Sequence, residues 1–323
     1  MHPFDQLILI FYSMKKISFT AFAHQCIARL KEEGHYSTAH LYKNALRSYS
    51  EYLTTPVVHF CDISRDRLRG YQRKLNNEHL LPNTISTYMR MLRSIYNQGV
   101  DLGYAPYVNR LFHDVYTGID SGKKKALPRK ELHTLLYKDP GTDVLRHVQH
   151  RARLIYQLCG IPFVDLAHLS RSNISGDTLE YYRMKTGTKV SIKLLKPAVE
   201  LIRHYAAPSR SPAEKKGEYL FNILPGGQSF RSREGYTMYQ SELRHFNQSL
   251  RTLGRTLGLK GNISSYTLRH SWATTAKYTG APIEMISESL GHKSIKTTQI
   301  YLEKFNASDL ARVNKKACRY VEA

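Results

Sequence analysis

Three short segments near the C-terminal end of the chain carry residues that could act on a phosphate group. Tyr266 and Arg269 stand three positions apart in Ser-Tyr-Thr-Leu-Arg-His, a spacing that puts both on one face of a helix. An arginine held in this way can bind a phosphate through two parallel hydrogen bonds. In Leu-Gly-His, Gly291 has the place of a glycine that ends a helix, so that His292 projects from the turn. Tyr301 follows nine positions later in Thr-Thr-Gln-Ile-Tyr.

Each of these residues has an ordinary structural explanation when it is taken alone. The chain has 23 tyrosines, and most tyrosines belong to the core or the surface. A histidine after a capping glycine is commonly part of the cap, and an arginine on a helix is commonly a solvated charge. The joint pattern, in this order, is much harder to obtain by chance and favours phosphate chemistry.

The net charge points to the same class of ligand. The 323 residues include 48 Lys and Arg against 26 Asp and Glu, a formal net charge of +22. Nucleic acid is the favoured polyanion because neutralised phosphates release condensed counterions, and a charge that only keeps the protein in solution is the alternative. Residues 1–122 carry 14 basic and 10 acidic residues, and residues 123–323 carry 34 and 16. The positive charge is therefore concentrated in the C-terminal part.

The sequence argues against several other classes of protein. The apolar run 7–12 is too short to span a bilayer and lacks the flanks of a signal peptide, so we expect a cytoplasmic protein without a membrane partner. The four cysteines are scattered and predict reduced thiols, not disulfides or a zinc site. His147 and His150 lie close in sequence, but no carboxylate or cysteine completes a metal-ligand set there.

Apolar periodicity predicts the elements that must position the candidate residues. Helical spacing over 18–52, broken by Gly34, predicts a helical hairpin. A second helical pair is predicted over 68–75 and 84–100, with Asn83 as the N-cap of the later helix.

The C-terminal part is predicted to hold further helices around one small sheet. Alternation over 179–183 and 190–194 predicts a β-hairpin with Lys185 at its turn. The Gly-containing basic segment 116–127 is typical of a linker. The chain is thus expected to be mainly α with a small antiparallel β-sheet. Helices are predicted over 128–136, 144–158, 163–169, 239–257, 266–278, 282–290 and 295–301.

From about residue 16 to about residue 306, the chain resembles the tyrosine recombinase, or phage integrase, family. The segments around Arg269, His292 and Tyr301 are similar to the family's H-x-x-R box, Leu-Gly-His box and nucleophilic tyrosine, and Lys185 falls where the family has a β-hairpin lysine. The resemblance implies a helical SAM-like core-binding domain and an α+β catalytic domain. The implied organisation is an N-terminal extension (1–16), the core-binding domain (17–115), the linker (116–127), the catalytic domain (128–306) and a C-terminal tail (307–323).

The resemblance also implies a site-specific DNA strand transferase. Tyr301 would attack a DNA phosphate and form a 3′-phosphotyrosyl bond as a 5′-hydroxyl leaves, which stores the bond energy and requires no cofactor or metal. Arg269 and His292 would stabilise charge on the non-bridging oxygens, and Lys185 would protonate the departing oxygen. The implied partners are double-stranded DNA, three further copies in a tetramer on a Holliday junction, and an accessory DNA-bending protein. Apart from the resemblance, apolar Leu310, Val313 and Val321 amid basic residues predict that 306–323 is a helix that docks on a neighbouring protomer, with a self-packed tail as the alternative.

Two positions depart from the family pattern. Tyr266 stands where the family usually has histidine, and a phenol with a pKa of about 10 is a poor base near neutral pH. Pro162 stands where the first arginine is expected, although Asp165 matches the acidic position of that box. Another arginine could supply the second phosphate contact, with Arg151 and Arg153 as candidates, or the site could work with one arginine, or the protein could be catalytically impaired.

Two other functions therefore stay open. A type IB topoisomerase shares the phosphotyrosine chemistry but relaxes supercoils as a monomer. A DNA-binding protein could retain the fold after losing activity. The small helical N-terminal domain, followed by the Leu-Gly-His and Thr-Thr-Gln-Ile-Tyr segments, favours the recombinase.

Overall fold

The computed structural model describes residues 17–120, 126–206, 219–225, 229–302 and 307–322. The chain divides into two compact units. The first ends at Asp120 and also includes Ser229–Tyr236, and the second is formed by Ser121–Gln228 and Thr237–Ala323. The predicted N-terminal extension and residues 121–125 of the predicted linker lie outside the described residues, so the domain boundaries stay predictions.

Residues 17–120 form four α-helices. They are α1 (Phe19–Glu32), α2 (Tyr36–Leu53), α3 (Arg65–Asn77) and α4 (Pro82–Asp101). The first helix begins after Ser18 because the Ser18 side chain accepts a hydrogen bond from the backbone N–H of Ala21. Both predicted helical pairs are confirmed.

Aromatic side chains occupy the centre of this helical unit. Tyr49 and Tyr71 are fully buried, and their ring centroids lie 5.0 Å apart in an edge-to-face arrangement. The Tyr49 hydroxyl donates to the backbone carbonyl of Asp62 at 2.7 Å, so its polar end is satisfied. The unit therefore has an apolar core of its own.

The prediction that Asn83 caps a helix is wrong. The helix α4 begins at Pro82, with Leu81 in the N-cap position. Proline fits the first turn because its missing N–H would have no helical partner there. The Asn83 side chain instead donates to the backbone carbonyl of Asp120 at 2.7 Å and accepts from the N–H of the same residue at 2.9 Å. It thereby fastens the segment at Asp120 to the start of α4.

The chain after residue 125 is also mainly helical. One helix without a predicted counterpart, at residues 196–205, buries Ala198, Leu201 and Ile202, and the helix predicted from residue 239 begins six residues earlier. The other predicted helices are confirmed. The helices are α5 (Arg129–Tyr137), α6 (Asp143–Gln157), α7 (Phe163–Ala167), α8 (Lys196–Tyr205), α9 (Arg233–Thr256), α10 (Ser265–Tyr278), α11 (Ile283–Ser289), α12 (Ile295–Tyr301) and α13 (Ala307–Glu322).

One small sheet accompanies these helices. Its strands are β1 (Ile174–Ser175), β2 (Thr178–Tyr182) and β3 (Lys189–Lys193), paired antiparallel in that order. Leu179 and Tyr181 of β2 are buried, as expected for a strand that packs one face on a core. The predicted hairpin is confirmed one residue earlier on each strand, and Lys185 lies in the loop between the strands.

The observed fold is the predicted one, mainly helical with a small antiparallel sheet. Within the described ranges, every helix is too short or too polar to cross a bilayer. The last helix, α13, leaves Leu310 and Val313 largely exposed, at 58% and 62% of their surface. Within the described part of this chain, no residue buries these apolar side chains.

Candidate active site

The turn after α11 forms the centre of the candidate site. Gly291 follows the helix with φ of +62°, and its N–H donates to the carbonyl of Glu288 at 2.8 Å. The N–H of His292 donates to the carbonyl of Ser287 at 3.0 Å. These two bonds end the helix in the manner predicted for a C-terminal glycine. The Leu290 carbonyl, at the negative end of the helix, is left to accept hydrogen bonds from other elements.

Arg269 brings α10 into contact with this turn. Its side chain is almost fully buried, with 2% of its surface exposed. Nη1 donates to the carbonyl of Gly160 at 2.8 Å, and Nη2 donates to the carbonyl of Leu290 at 2.6 Å. The guanidinium is thus held in place by two backbone oxygens from different elements.

The glycine at position 160 is required by the close approach of α10. Its φ is +67°, a conformation that disfavours residues with a side chain. A Cβ atom built there would lie 2.9 Å from the Cα of Arg269. The backbone after α6 can therefore reach the arginine only where no side chain intervenes.

His292 connects Arg269 to the helix that ends at the candidate nucleophile. Its Nε2 lies 3.3 Å from Nη2 of Arg269, and its Nδ1 lies 2.8 Å from Oγ1 of the buried Thr298. Thr298 belongs to α12, whose last residue is Tyr301. The Tyr301 side chain lies outside what the structure describes, so its predicted role stays a prediction.

The surroundings of His292 keep its ring neutral. Burial, followed by the positive charges of Arg269, Arg183 and Lys185, lowers the pKa of His292 to about 4. A neutral ring can accept from Arg269 at Nε2 while Nδ1–H donates to Thr298, and the opposite tautomer can donate from Nε2. The second tautomer suits a hydrogen bond to an anionic oxygen.

We expect this low pKa to make the protein sensitive to acid. Between about pH 6.5 and about pH 4 the unfolded chain binds a proton at His292 that the folded chain does not, so folding stability falls as pH falls. The H292Q variant removes this titration and should lose less stability over the same interval, by on the order of 1 kcal/mol. Chemical denaturation of both proteins at a series of pH values measures the difference. A difference that stays constant from about pH 7.5 to about pH 4 would contradict the prediction.

Lys185 lies in the hairpin loop and is exposed. The neighbouring Thr186 hydroxyl donates to the carbonyl of Gly291 at 3.3 Å, which joins this loop to the turn after α11. Lys185 also contributes to the low pKa of His292, which places its charge in the electrostatic environment of the ring. The loop that carries Lys185 is therefore attached to the turn after α11, and the Lys185 side chain is accessible to solvent.

Arg183 is a member of this cluster that the sequence analysis did not identify. It follows β2 directly, has 7% of its surface exposed, and donates from Nη1 to the Leu290 carbonyl, the same oxygen that accepts from Arg269. Its Nε lies 2.9 Å from Oδ2 of Asp165, an ion pair that is not aligned as a hydrogen bond. One signal could have revealed it: Arg183 continues the inward-facing alternation of Leu179 and Tyr181 along the strand.

Asp165, which matches the acidic position of the family box, supports the arginine from α7. Its carboxylate is buried, and Oδ1 accepts from the backbone N–H of Met184 at 2.9 Å. Burial raises the pKa of Asp165, and the Met184 N–H and the charge of Arg183 oppose that rise. The carboxylate thus fixes both the side chain of Arg183 and the backbone that follows it.

The remaining candidates lie in other surroundings. Tyr266 exposes 54% of its surface, and its ring centroid is 4.8 Å from that of His270.

The guanidinium of Arg153 stacks over the ring of Tyr137 at 4.9 Å. Burial lowers the pKa of Arg151, and the carboxylate of Glu242 opposes this shift. These neighbours of Arg151 and Arg153 are thus not members of the cluster at the Leu290 carbonyl.

The two histidines of α6 contact a tyrosine. Nδ1 of His147 and Nδ1 of His150 lie 2.8 Å and 2.6 Å from the hydroxyl of Tyr205. Among the residues that the structure describes, no group of three or more His, Cys, Asp or Glu side chains could hold a metal ion. These histidines belong to a hydrogen-bonded cluster around one phenol.

Comparison with known protein families assigns both halves of the chain. Residues 142–307 match the family model described as the phage integrase family. Residues 18–109 match the model of the phage integrase SAM-like domain. The first match contains every residue of the cluster around the Leu290 carbonyl, and the second covers most of the first helical unit.

Individual relatives agree with these matches. The chain is 23% identical over 274 residues to tyrosine recombinase XerD of Listeria innocua, which covers 82% of this chain and 87% of the relative. Among solved structures it resembles the Tn1549 transposon integrase in complex with a circular intermediate DNA, with a TM-score of 0.65, 12% identity, and coverage of 94% of this chain and 100% of that one. It also resembles the lambda integrase tetramer bound to a Holliday junction, with a TM-score of 0.57, 14% identity, and coverage of 81% and 71%. At these identities the structures support the fold.

Proposed function

The chain belongs to the phage integrase family and is a tyrosine-type DNA strand transferase; from this premise we propose that it recombines specific DNA sites through a phosphotyrosyl bond at Tyr301. One observation carries the proposal. A continuous set of contacts runs from Arg269 through His292 to Thr298, three residues before the end of α12. The three segments that the sequence singles out therefore meet at one place, with buried hydrogen-bond donors around it.

The proposed reaction breaks one bond and forms one. The Tyr301 phenol gives up its proton to water, and the phenolate oxygen attacks the scissile phosphorus as the bond to the 5′-oxygen breaks, which leaves a 3′-phosphotyrosyl link and, once the departing oxygen is protonated, a 5′-hydroxyl. Arg269 and His292 donate hydrogen bonds to the non-bridging oxygens, where negative charge develops. Lys185 transfers a proton to the departing 5′-oxygen and regains one from water, to which the Tyr301 proton was released. The reverse reaction with a 5′-hydroxyl from another strand rejoins the DNA.

We propose double-stranded DNA as the partner and a tetramer on a Holliday junction as the working assembly. The lambda integrase to which the chain is similar forms a tetramer on such a junction. In this chain the exposed Leu310 and Val313 of α13 support docking of that helix on a neighbouring protomer, because apolar side chains on one helix face are stabilised by burial. An accessory DNA-bending protein stays a prediction.

Covalent capture tests the proposed reaction on a mixture of many DNA sequences, so the target site need not be chosen in advance. Sheared genomic DNA from the source organism is incubated with the protein in EDTA, and the complexes that survive denaturation are sequenced at their protein-bound ends. We expect a small set of sites, with protein attached through a 3′-phosphate at Tyr301. The absence of any covalent product would contradict the proposal and would favour a DNA-binding protein that has lost its activity.

Plasmid relaxation separates the recombinase from a type IB topoisomerase. We expect a supercoiled plasmid without a captured site to remain supercoiled, because cleavage requires the specific DNA sequence and the assembled tetramer. Efficient relaxation by the monomer would contradict the recombinase. A plasmid with two captured sites should yield recombined products.

A further inference from the structure

The strongest unexplained feature of the site is a second buried arginine. Pro162, the first residue before α7, occupies the position where the family pattern has its first arginine, and a proline side chain donates no hydrogen bond. A phosphodiester held by a single guanidinium would have one non-bridging oxygen without a charged donor from this box. Unless another residue of the cluster around the Leu290 carbonyl supplies this donor, stabilisation of the transition state is lost.

Arg183 lies where it can supply the missing charged donor. Its Nη1 and the Nη2 of Arg269 both donate to the Leu290 carbonyl, so the two guanidinium groups share one acceptor. They come from distant parts of the sequence, one from the end of β2 and one from α10. This carbonyl oxygen fixes the separation between the two side chains.

The charge of the cluster suits an anion. Two buried arginine side chains are accompanied by one buried carboxylate, that of Asp165, and by the neutral ring of His292. Burying like charges together is costly unless an opposite charge joins them. A phosphodiester carries one negative charge, which balances the surplus.

The Nη2 end of the Arg183 side chain has N–H groups that can still donate hydrogen bonds. Nε lies closest to Asp165 and Nη1 donates to the Leu290 carbonyl, while Nη2 donates no hydrogen bond to the described part of the chain. A guanidinium in this state can add a hydrogen bond to a phosphate oxygen without breaking its existing contacts.

The hairpin and the turn after α11 hold Arg183 rigidly. The Arg183 N–H donates to the carbonyl of Thr188 at 2.9 Å, and the Arg183 carbonyl accepts from the N–H of Gly187 at 2.7 Å. The side-chain stem lies against Gly291, where an added Cβ atom would come within 2.7 Å of its Cγ. The side chain is therefore organised before any ligand arrives, which is the condition under which electrostatic stabilisation is most effective.

We propose that Arg183 is the second phosphate-binding arginine of this enzyme, that it contacts a non-bridging oxygen of the scissile phosphate in place of the arginine absent at Pro162, and that Asp165 is its positioning residue. This assignment rests on the proposed function of the site. No bond to Arg183 forms or breaks, because its contribution is charge and hydrogen bonding. Of the three alternatives that the sequence left open, it selects an arginine from elsewhere in the chain.

The test compares two versions of a nicked duplex that spans a captured site. One has an ordinary scissile phosphate, and the other has a methylphosphonate, in which a neutral methyl group replaces one charged oxygen. We expect R183Q to form the covalent adduct about 10²–10³ times more slowly than wild type on the phosphate, the loss typical of removing one preorganised donor. On the methylphosphonate the loss should shrink to within about tenfold, because less charge needs to be stabilised.

K189Q serves as the matched control. Lys189 is exposed on the same hairpin and pairs with Glu180 at 2.9 Å, so this variant removes one positive charge outside the cluster. We expect its adduct rates to stay within about threefold of wild type on both substrates. Far-ultraviolet circular dichroism and binding to the intact duplex establish that each variant folds and binds DNA.

The outcomes separate the two proposals. If wild type forms no adduct, the proposed function fails. If wild type reacts and R183Q reacts equally fast, or if R183Q is slowed equally on both substrates, the assignment of Arg183 is wrong and the proposed function stands. If R183Q does not fold because Asp165 is left as an unpaired buried charge, R183K retains the charge but lacks the planar fork, and the same comparison of substrates decides.

Discussion

Replacing Tyr301 by phenylalanine is expected to abolish the covalent adduct with a captured DNA site while leaving affinity for that site within about twofold of wild type. The substitution removes one oxygen atom and retains the ring. The contact between His292 and Thr298 involves neither the ring nor the hydroxyl of Tyr301, so the preceding turn of α12 should fold as before. Denaturing electrophoresis measures the adduct, and a binding titration in the same buffer measures affinity.

The matched control is Y320F. Tyr320 lies in α13, is 87% exposed, and is the other tyrosine that follows the Leu-Gly-His segment in the sequence. This variant removes the same oxygen from a neighbouring helix and should form the adduct at the wild-type rate. If Y301F still forms the adduct and Y320F does not, the nucleophile has been assigned to the wrong helix.

Local sequence signals were sufficient to predict the elements that carry the site. The helix α12 has the predicted bounds, and Gly291 ends α11 with a positive φ as expected. Both features depend on residues that are adjacent in the chain. The error at Asn83 has a local cause as well, because Pro82 can begin a helix as readily as a polar residue can cap one.

Contacts between distant segments could not be predicted in this way. The Leu290 carbonyl accepts from Arg269, 21 positions away, and from Arg183, 107 positions away. Nothing in the spacing of the sequence indicates that a strand end and a helix share one oxygen. A search for a second arginine near Pro162 leads to α6, whereas the arginine that shares an acceptor with Arg269 directly follows β2.

Replacing Lys185 by alanine is expected to slow cleavage of ordinary DNA by about 10²–10⁴ fold, the range typical of losing a general acid. The bond that breaks leaves a 5′-alkoxide, which is a poor leaving group until it is protonated. If the 5′-bridging oxygen is replaced by sulfur, the departing group is a thiolate with a pKa near 8.5 that needs no proton from the enzyme. K185A should then react within about tenfold of wild type on the sulfur substrate.

K189A is the matched control for this comparison, since Lys189 lies four positions away and is paired with Glu180. It should cleave both substrates at the wild-type rate. A defect of K185A that is equal on the oxygen and sulfur substrates would mean that Lys185 binds the phosphate and does not protonate the leaving group.

Arg183 and Lys185 lie two positions apart, one buried beside the Leu290 carbonyl and the other exposed in the loop. Charge stabilisation at the phosphate and proton transfer to the leaving oxygen would then come from one loop, and the two modified substrates distinguish these contributions residue by residue.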